Sequence, residues 1–304
     1  MTSTPTVPST TATSLPGAAE AARGKRRGRS LLASMHQRWP LTIGLLCVSI
    51  LCLVTIGAPL LAPASPDIQN MSNALKPPSA DHPFGTDEFG RDLLSRVLYG
   101  GRVTLLASTL SVLMAALIGC GVGLTAGYFG GWYDALVGRI VDILFSFPVI
   151  LLGIAIVAIM GPGVVSVIVA IAIASLPNFA RVSRAAIVPE KEREYVLAAH
   201  VVGASTWYII GRTLLPNLIG PLMVLISLGF AYAVLYEASL SFLGLGARPP
   251  TPEWGVMLST ARDFIFQAPW YAFFPGLSIV LLVFSLNLVG DGLRDAIDPY
   301  RARR

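Results

Sequence analysis

Long apolar runs, nearly free of charge, alternate along the chain with polar or basic segments. The hydrocarbon core of a bilayer takes about 20 mostly apolar residues per helix, so this pattern predicts six membrane-spanning helices. They cover Leu41–Leu61, Val103–Leu124, Ile140–Met160, Val164–Leu176 with an extension toward Phe179, Leu218–Tyr236 and Phe273–Val289. Only Gly161-Pro162-Gly163 parts the third from the fourth. Residues 1–22 are rich in Ser, Thr, Pro and Ala with Glu20 as their single charge, which predicts a disordered tail. The expected organisation is a tail over 1–35 and one membrane domain over 36–304. The first apolar run exceeds the ~7–15 residues of a signal-peptide core, and no convincing small-residue cleavage site follows it. It reads as a retained span.

Composition agrees. Of 304 residues, 54% are hydrophobic and 13% charged, about half the charged share of a soluble domain. The placement of the 22 Lys and Arg sets the orientation. With the N-terminus inside, sixteen lie on the inner segments: Arg23 to Arg38, Arg139, Arg181 to Arg212, and Arg294 to Arg304. Lys76, Arg91, Arg96, Arg102, Arg248 and Arg262 lie outside. Both termini are therefore expected in the cytoplasm of a multi-pass inner-membrane protein. The net charge of +5 reads as topology, with no nucleic-acid partner, and the inner cations suit anionic headgroups of the lipid bilayer.

No catalytic or metal constellation emerges. Cys47, Cys52 and Cys120 sit within spans, and His36, His82 and His200 fall in separate segments. The chain has no G-x-x-x-x-G-K-[ST] phosphate loop. Few ionisable groups enter the spans, where each is costly unless paired or pore-facing. Asp142 lies one turn from Arg139, which suggests an ion pair, with a pathway role as the alternative. Glu237 closes span five; it either lines an outer gate or bonds the loop backbone. Asn287 and Asp291 close span six, where Asp291 is placed to pair with Arg294. Gly119, Gly121, Gly123 and Gly127 along span two permit close helix packing.

The connections carry more information. Between spans four and five, about 40 residues run from Asn178 to Asn217. Tyr195, Ala198, Ala199 and Val202 recur at helical spacing. Gly203 breaks that helix, Ser205 offers a new N-cap, and a second short helix over Thr206–Leu214 is expected to end at Pro216. Such a knob either docks in a partner's groove or rests on lipid headgroups. Outside, Asp92 is placed to cap a helix or pair with Arg96, and Leu93, Leu94, Val97 and Leu98 predict an amphipathic surface helix ahead of span two. The prolines of Arg248-Pro249-Pro250-Thr251-Pro252 stiffen a further outer loop. Trp254, Trp270 and Tyr271 read as an interfacial aromatic belt.

The knob residues Glu194, Ala198, Ala199 and Gly203, followed by Ile209 or Ile210, Leu214 and Pro216, resemble the EAA loop of ABC-importer permeases. Three further stretches resemble the dipeptide/oligopeptide/nickel branch, in its subunit with the shorter first periplasmic loop: HPFGTDEFGRDLLSRVLYGGR (82–102), EASLSFLGLGARPPTPEWG (237–255) and NLVGDGLRDAIDP (287–299). The resemblance covers about Leu41 to Pro299. One departure is Leu176-Pro177-Asn178-Phe179, where many relatives carry a tryptophan before the stretch matched by Ala180, Arg181 and Arg184.

The resemblance implies an all-α type I permease fold of six transmembrane helices, with the coupling loop between helices four and five. It implies a non-catalytic subunit that contacts an ATPase through Glu194, Ala198, Ala199, Gly203, Ala204, Ser205, Arg212, Leu215 and Pro216. Expected partners are a homologous second permease, two ATP-binding subunits and an extracytoplasmic substrate-binding protein. This chain itself would hold no cofactor, with ATP and Mg bound by the partner subunits. Small peptides are the expected cargo, with nickel, glutathione or another small solute as alternatives. Glu237, Asp142 and Asn287 are the candidates for the pathway or its gate. An ion-coupled secondary transporter would need broken helices and mid-membrane charges, which the apolar runs argue against.

Overall fold

Backbone in hydrocarbon finds no water to bond, so each apolar run closes its hydrogen bonds as a helix. The computed structural model describes residues 39–297, with the side chain of residue 297 left aside. The tail expected over 1–35, His36, Arg38, Pro299, Arg301, Arg303 and Arg304 lie outside the described residues. The chain divides into Met1–Trp39 and Pro40–Arg304, and the architecture below belongs to the second unit. Among the described residues all regular structure is helical, apart from one isolated β-bridge between Thr86 and Asp92.

Helix α1 covers Trp39–Ile56; Gly57 then breaks the predicted first span, and a single turn, α2, follows over Ala58–Leu61. Helix α3 runs unbroken over Leu93–Phe129. The separate surface helix expected at Leu93–Leu98 is its first turns, because Leu93 and Val97 are buried against Trp254 and Tyr271 rather than laid on lipid. Asp92 caps α3, accepting from Ser95 N at 2.8 Å. It pairs with His82 at 2.9 Å, while Arg96 turns to Asp87 at 3.3 Å, so the expected Asp92–Arg96 pair does not form.

The predicted third span is broken. Helix α4 (Gly131–Phe145) and helix α5 (Val149–Met160) meet at 90°. Pro148 has no N–H to continue α4 and disfavours helical backbone at Phe147. Helix α6 covers Val164–Glu190, well beyond the predicted limit near Phe179. Hydropathy marks where a helix leaves hydrocarbon, and the hydrogen-bond ladder runs on past that point through Arg181 and Arg184. The expected 40-residue loop shrinks accordingly.

Helix α7 covers Glu194–Val201 and α8 Thr206–Tyr208. A π-helical stretch over Ile209–Leu214 then leads straight into α9, Leu215–Phe242. Pro216 therefore does not end a helix. It sits where the π stretch passes into α9, and the widened π turn absorbs its ring. Helices α10 (Trp254–Ala261) and α11 (Pro269–Ile297) complete the chain.

The central seam joins α3 to α6. A Cβ on Gly119 would lie 2.7 Å from Phe179 Cβ, one on Gly127 2.5 Å from Ile187 Cγ2, and one on Gly123 would collide with Ala180 O and Ser183 Oγ. Ser111 Oγ adds a hydrogen bond to Ile168 O at 3.2 Å. Gly121 points elsewhere, with nothing within 4 Å of an added Cβ. Three of the four glycines thus serve the packing expected of them. Replacing Gly123 by Ala is expected to cost roughly 1–3 kcal/mol through overpacking. Gly121→Ala is expected to be neutral or to stabilise by up to ~1 kcal/mol from helix propensity. Thermal unfolding of the purified chain in detergent checks the contrast.

Candidate functional site

At one end of the bundle the chain folds back as a knob, and its geometry follows from a single glycine. Gly203 adopts φ +78°, the left-handed region that ends a helix. Its N–H bonds His200 O at 3.0 Å, and Ala204 N bonds Ala199 O at 3.0 Å. These are the paired closures of a Schellman motif. Ser205 then caps the next turn, accepting from Tyr208 N at 3.4 Å. The expected elbow and cap are both present.

The underside of the knob is apolar and tightly seated. Val196, Ile209 and Leu214 are fully buried, and Ala199, Ala204 and Leu215 pack partly buried on the same core. Its outer face is open: Leu197, Val201, Val202, Trp207 and Tyr208 are exposed, Val201 at 87% and Val202 at 81%. Glu194, Ala198, Ser205, Arg212 and Pro216 share that exposure. Neither Glu194 nor Arg212 has a partner among the described residues, so both charges stand free beside an apolar surface.

Polar links tie the knob to the bundle. Lys191 Nζ donates to Gly127 O at 2.8 Å and Tyr128 O at 3.2 Å, closing the last carbonyls of α3. Tyr128 Oη meets His200 Nε2 at 3.1 Å, and Trp207 packs edge-on against Phe129. Tyr195 donates to Glu190 at 2.6 Å and accepts from Asn217 at 3.1 Å, joining α6, α7 and α9. Partial burial, then the Glu190 carboxylate it bonds, pushes the Tyr195 phenol above its ordinary range. None of these links was legible in the sequence, although a lysine just past a helix end is a known capping signal.

The predicted pathway residues do not converge. Asp142 pairs with Arg181 at 2.9 Å and not with Arg139, because α4 turns this face toward α6. The pair is exposed, beside a second formed by Asp134 and Arg184. Together with Arg139 they line a cleft of about 400 Å³ between α4 and α6. Asn287 donates to Val283 O of its own helix at 3.0 Å. No ion pair joins Asp291 to Arg294 among the described residues.

Glu237 lies toward the other end and is fully buried, and among the described residues no hydrogen bond joins it to the loop backbone. Thr104 Oγ1 donates to its Oε1 at 3.4 Å, and its Oε2 has no partner. Facing it is Glu253, 1% exposed, which sequence reasoning missed. Glu253 performs the backbone role, accepting from Ala247 N and from the Ser241 hydroxyl. The one available signal was an acid wedged between Pro252 and Trp254 in an otherwise apolar stretch. Trp254 and Tyr271, each 1% exposed, are core residues and not an aromatic belt. Trp254 Nε1 donates to Val97 O at 2.8 Å, fixing α10 against α3. Among the described residues no group of three His, Cys, Asp or Glu is placed to hold a metal ion.

The family model described as a binding-protein-dependent transport system inner membrane component matches residues 119–303. A dipeptide transport system permease protein of Alkalihalophilus pseudofirmus is 48% identical over 257 residues, 84% of each chain. Its counterpart in Haemophilus influenzae is 43% identical over 84% of this chain and 89% of that one. A glutathione transport system permease protein of Pectobacterium atrosepticum is 49% identical over 73% of this chain and 74% of its own. Among solved structures, an inward-facing form of the MetNI methionine ABC transporter aligns with TM-score 0.56 at 22% identity, covering 67% of this chain and 96% of that one. That likeness shows the fold.

The elbow makes its own prediction. Any side chain at Gly203 must adopt left-handed backbone, at about 1–2 kcal/mol for an L-residue. Gly203→Val is therefore expected to loosen α7, seen as faster limited proteolysis between residues 193 and 206. Gly211→Ala, with nothing within 4 Å of the added Cβ, is expected to leave the cleavage rate unchanged.

Proposed function

The chain belongs to the binding-protein-dependent transport system inner membrane component family, and on that premise we propose that it forms half of the translocation pathway of an ATP-driven importer of short peptides. Members of the family are non-catalytic transmembrane subunits, so bond chemistry falls to partner chains. The observation that carries the proposal is the knob. It presents an apolar cap at Val201, Val202 and Trp207 with free charges at Glu194 and Arg212, on a base locked to α3, α6 and α9. That is the form of a helix-in-groove ligand, and an ATP-binding subunit is its proposed receptor.

Two such subunits, holding ATP and Mg, would sit beneath this chain and a homologous second permease. Their closure draws the two knobs together. The charge asymmetry of the sequence, sixteen basic residues on the expected inner segments against six on the outer ones, supports placing the knob, and both termini, in the cytoplasm. The substrate-binding protein would then deliver cargo to the opposite end. The functions of the relatives support peptide cargo, since dipeptides and the tripeptide glutathione share amide bonds and charged ends. The pathway face is proposed along the α4–α5 break, where Ser146, Phe147 and Pro148 are exposed. Irregular backbone at membrane depth is tolerated only in protein or against water. Exposed Asp142 lies on the α4 side of that break.

Val202→Asp and Gly203→Pro test the knob. Each is expected to reduce co-purification of the ATPase subunit and uptake of a radiolabelled dipeptide by more than about ten-fold, while the chain still accumulates in the membrane. Uptake at the wild-type rate with both variants would sink the reading.

A further inference from the structure

Glu237 and Glu253 form a buried acid pair without a counter-charge. They sit on different elements, Glu237 in α9 and Glu253 at the start of α10. Both side chains are closed to solvent, at 0% and 1% exposure. No salt bridge reaches either among the described residues. The groups acting on Glu237 are the Glu253 carboxyl and the Thr104 hydroxyl of α3.

Donor counting separates the two roles. An ionised carboxylate only accepts hydrogen bonds. Glu253 has a donor for each oxygen, the Ser241 hydroxyl on one and the Ala247 N–H on the other. Glu237 has one long bond from Thr104, and its Oε2 is buried with nothing to accept from. Two facing carboxylates in such a place cannot both stay bare, because like charges in a low dielectric repel strongly. A positive ion between them removes the repulsion and satisfies the orphaned oxygen.

We propose that Glu237 and Glu253 hold one monocation between them, a proton or a desolvated alkali ion, and that this bridge clasps α9 to α10. Two hydroxyls flank the pair, Thr104 bonded to the Glu237 carboxyl and Ser241 to that of Glu253. The bridge holds the far end of the same helical run whose near end carries the knob. Its stability readout stands by itself, while its transport readout rests on the importer reading.

The assembled transporter, purified with its ATP-binding subunits, is assayed for thermal midpoint in sodium, potassium and choline buffers and for dipeptide uptake in proteoliposomes. If the cation is a proton, the wild-type midpoint ignores the alkali ion. Glu237→Gln, whose amide donates where the acid proton stood, then keeps uptake within about two-fold, whereas Glu237→Leu lowers it roughly ten-fold or more. If it is an alkali ion, the wild-type midpoint rises saturably with one of the two ions, and Glu237→Gln abolishes that rise. Two results overturn the clasp: Glu237→Leu matching wild type in both assays, or Glu237→Gln as damaged as Glu237→Leu with no alkali dependence in wild type. A wild-type complex that imports no peptide would count against the importer reading and leave the midpoints to decide the clasp.

Discussion

The close approach of α3 to α6 is the contact on which the rest of the bundle depends. Between helices in lipid there is little hydrophobic drive, since hydrocarbon tails solvate leucine as well as a neighbouring helix does. Association then rests on surfaces fitting tightly. Gly119, Gly123 and Gly127 recur every four residues and so form one bare stripe on α3, into which Phe179, Ala180, Ser183 and Ile187 of α6 settle. With that seam set, the end of α3 reaches Lys191 and His200, and its start reaches Trp254. One helix pair thereby positions both the knob and the buried acid pair.

Between those two places runs a single stiff element. From Thr206 to Phe242 the backbone stays helical over 37 residues, about 55 Å at 1.5 Å per residue. Its hydrogen-bond ladder changes pitch at Ile209–Leu214 and carries Pro216 and Pro221 without stopping. On the proposed function, a push on the knob would travel along this continuous helix and not through a loop. The broken span α4–α5 is the contrast: Pro148 interrupts it, and its exposed polar pairs with α6 are the sort that contribute little stability.

Legibility followed the range of the interaction. The glycine elbow and the Ser205 cap were readable because both are decided within a few residues. The extent of α6 was not, because hydropathy records exit from hydrocarbon while the helix obeys its own ladder. Arg139 looked like the partner of Asp142 on spacing alone, and α6 supplied Arg181 instead. Trp254 and Tyr271 looked like residues for the membrane interface, and the protein buried them. In each case a local rule was sound and a distant segment offered a better partner.

By itself, then, the sequence determined the solvent, the number of apolar runs, the charge asymmetry between the two sides, and the elbow at Gly203. These depend on transfer free energy and on backbone sterics, which act on residues one at a time or in short windows. Only the tertiary structure decided that Pro148 bends a span while Pro216 passes through one, and that Glu237 faces Glu253. A proline's effect depends on whether its neighbours can take up the backbone groups it frees, and the state of a buried carboxyl depends on what lies opposite. Both are properties of the packed whole.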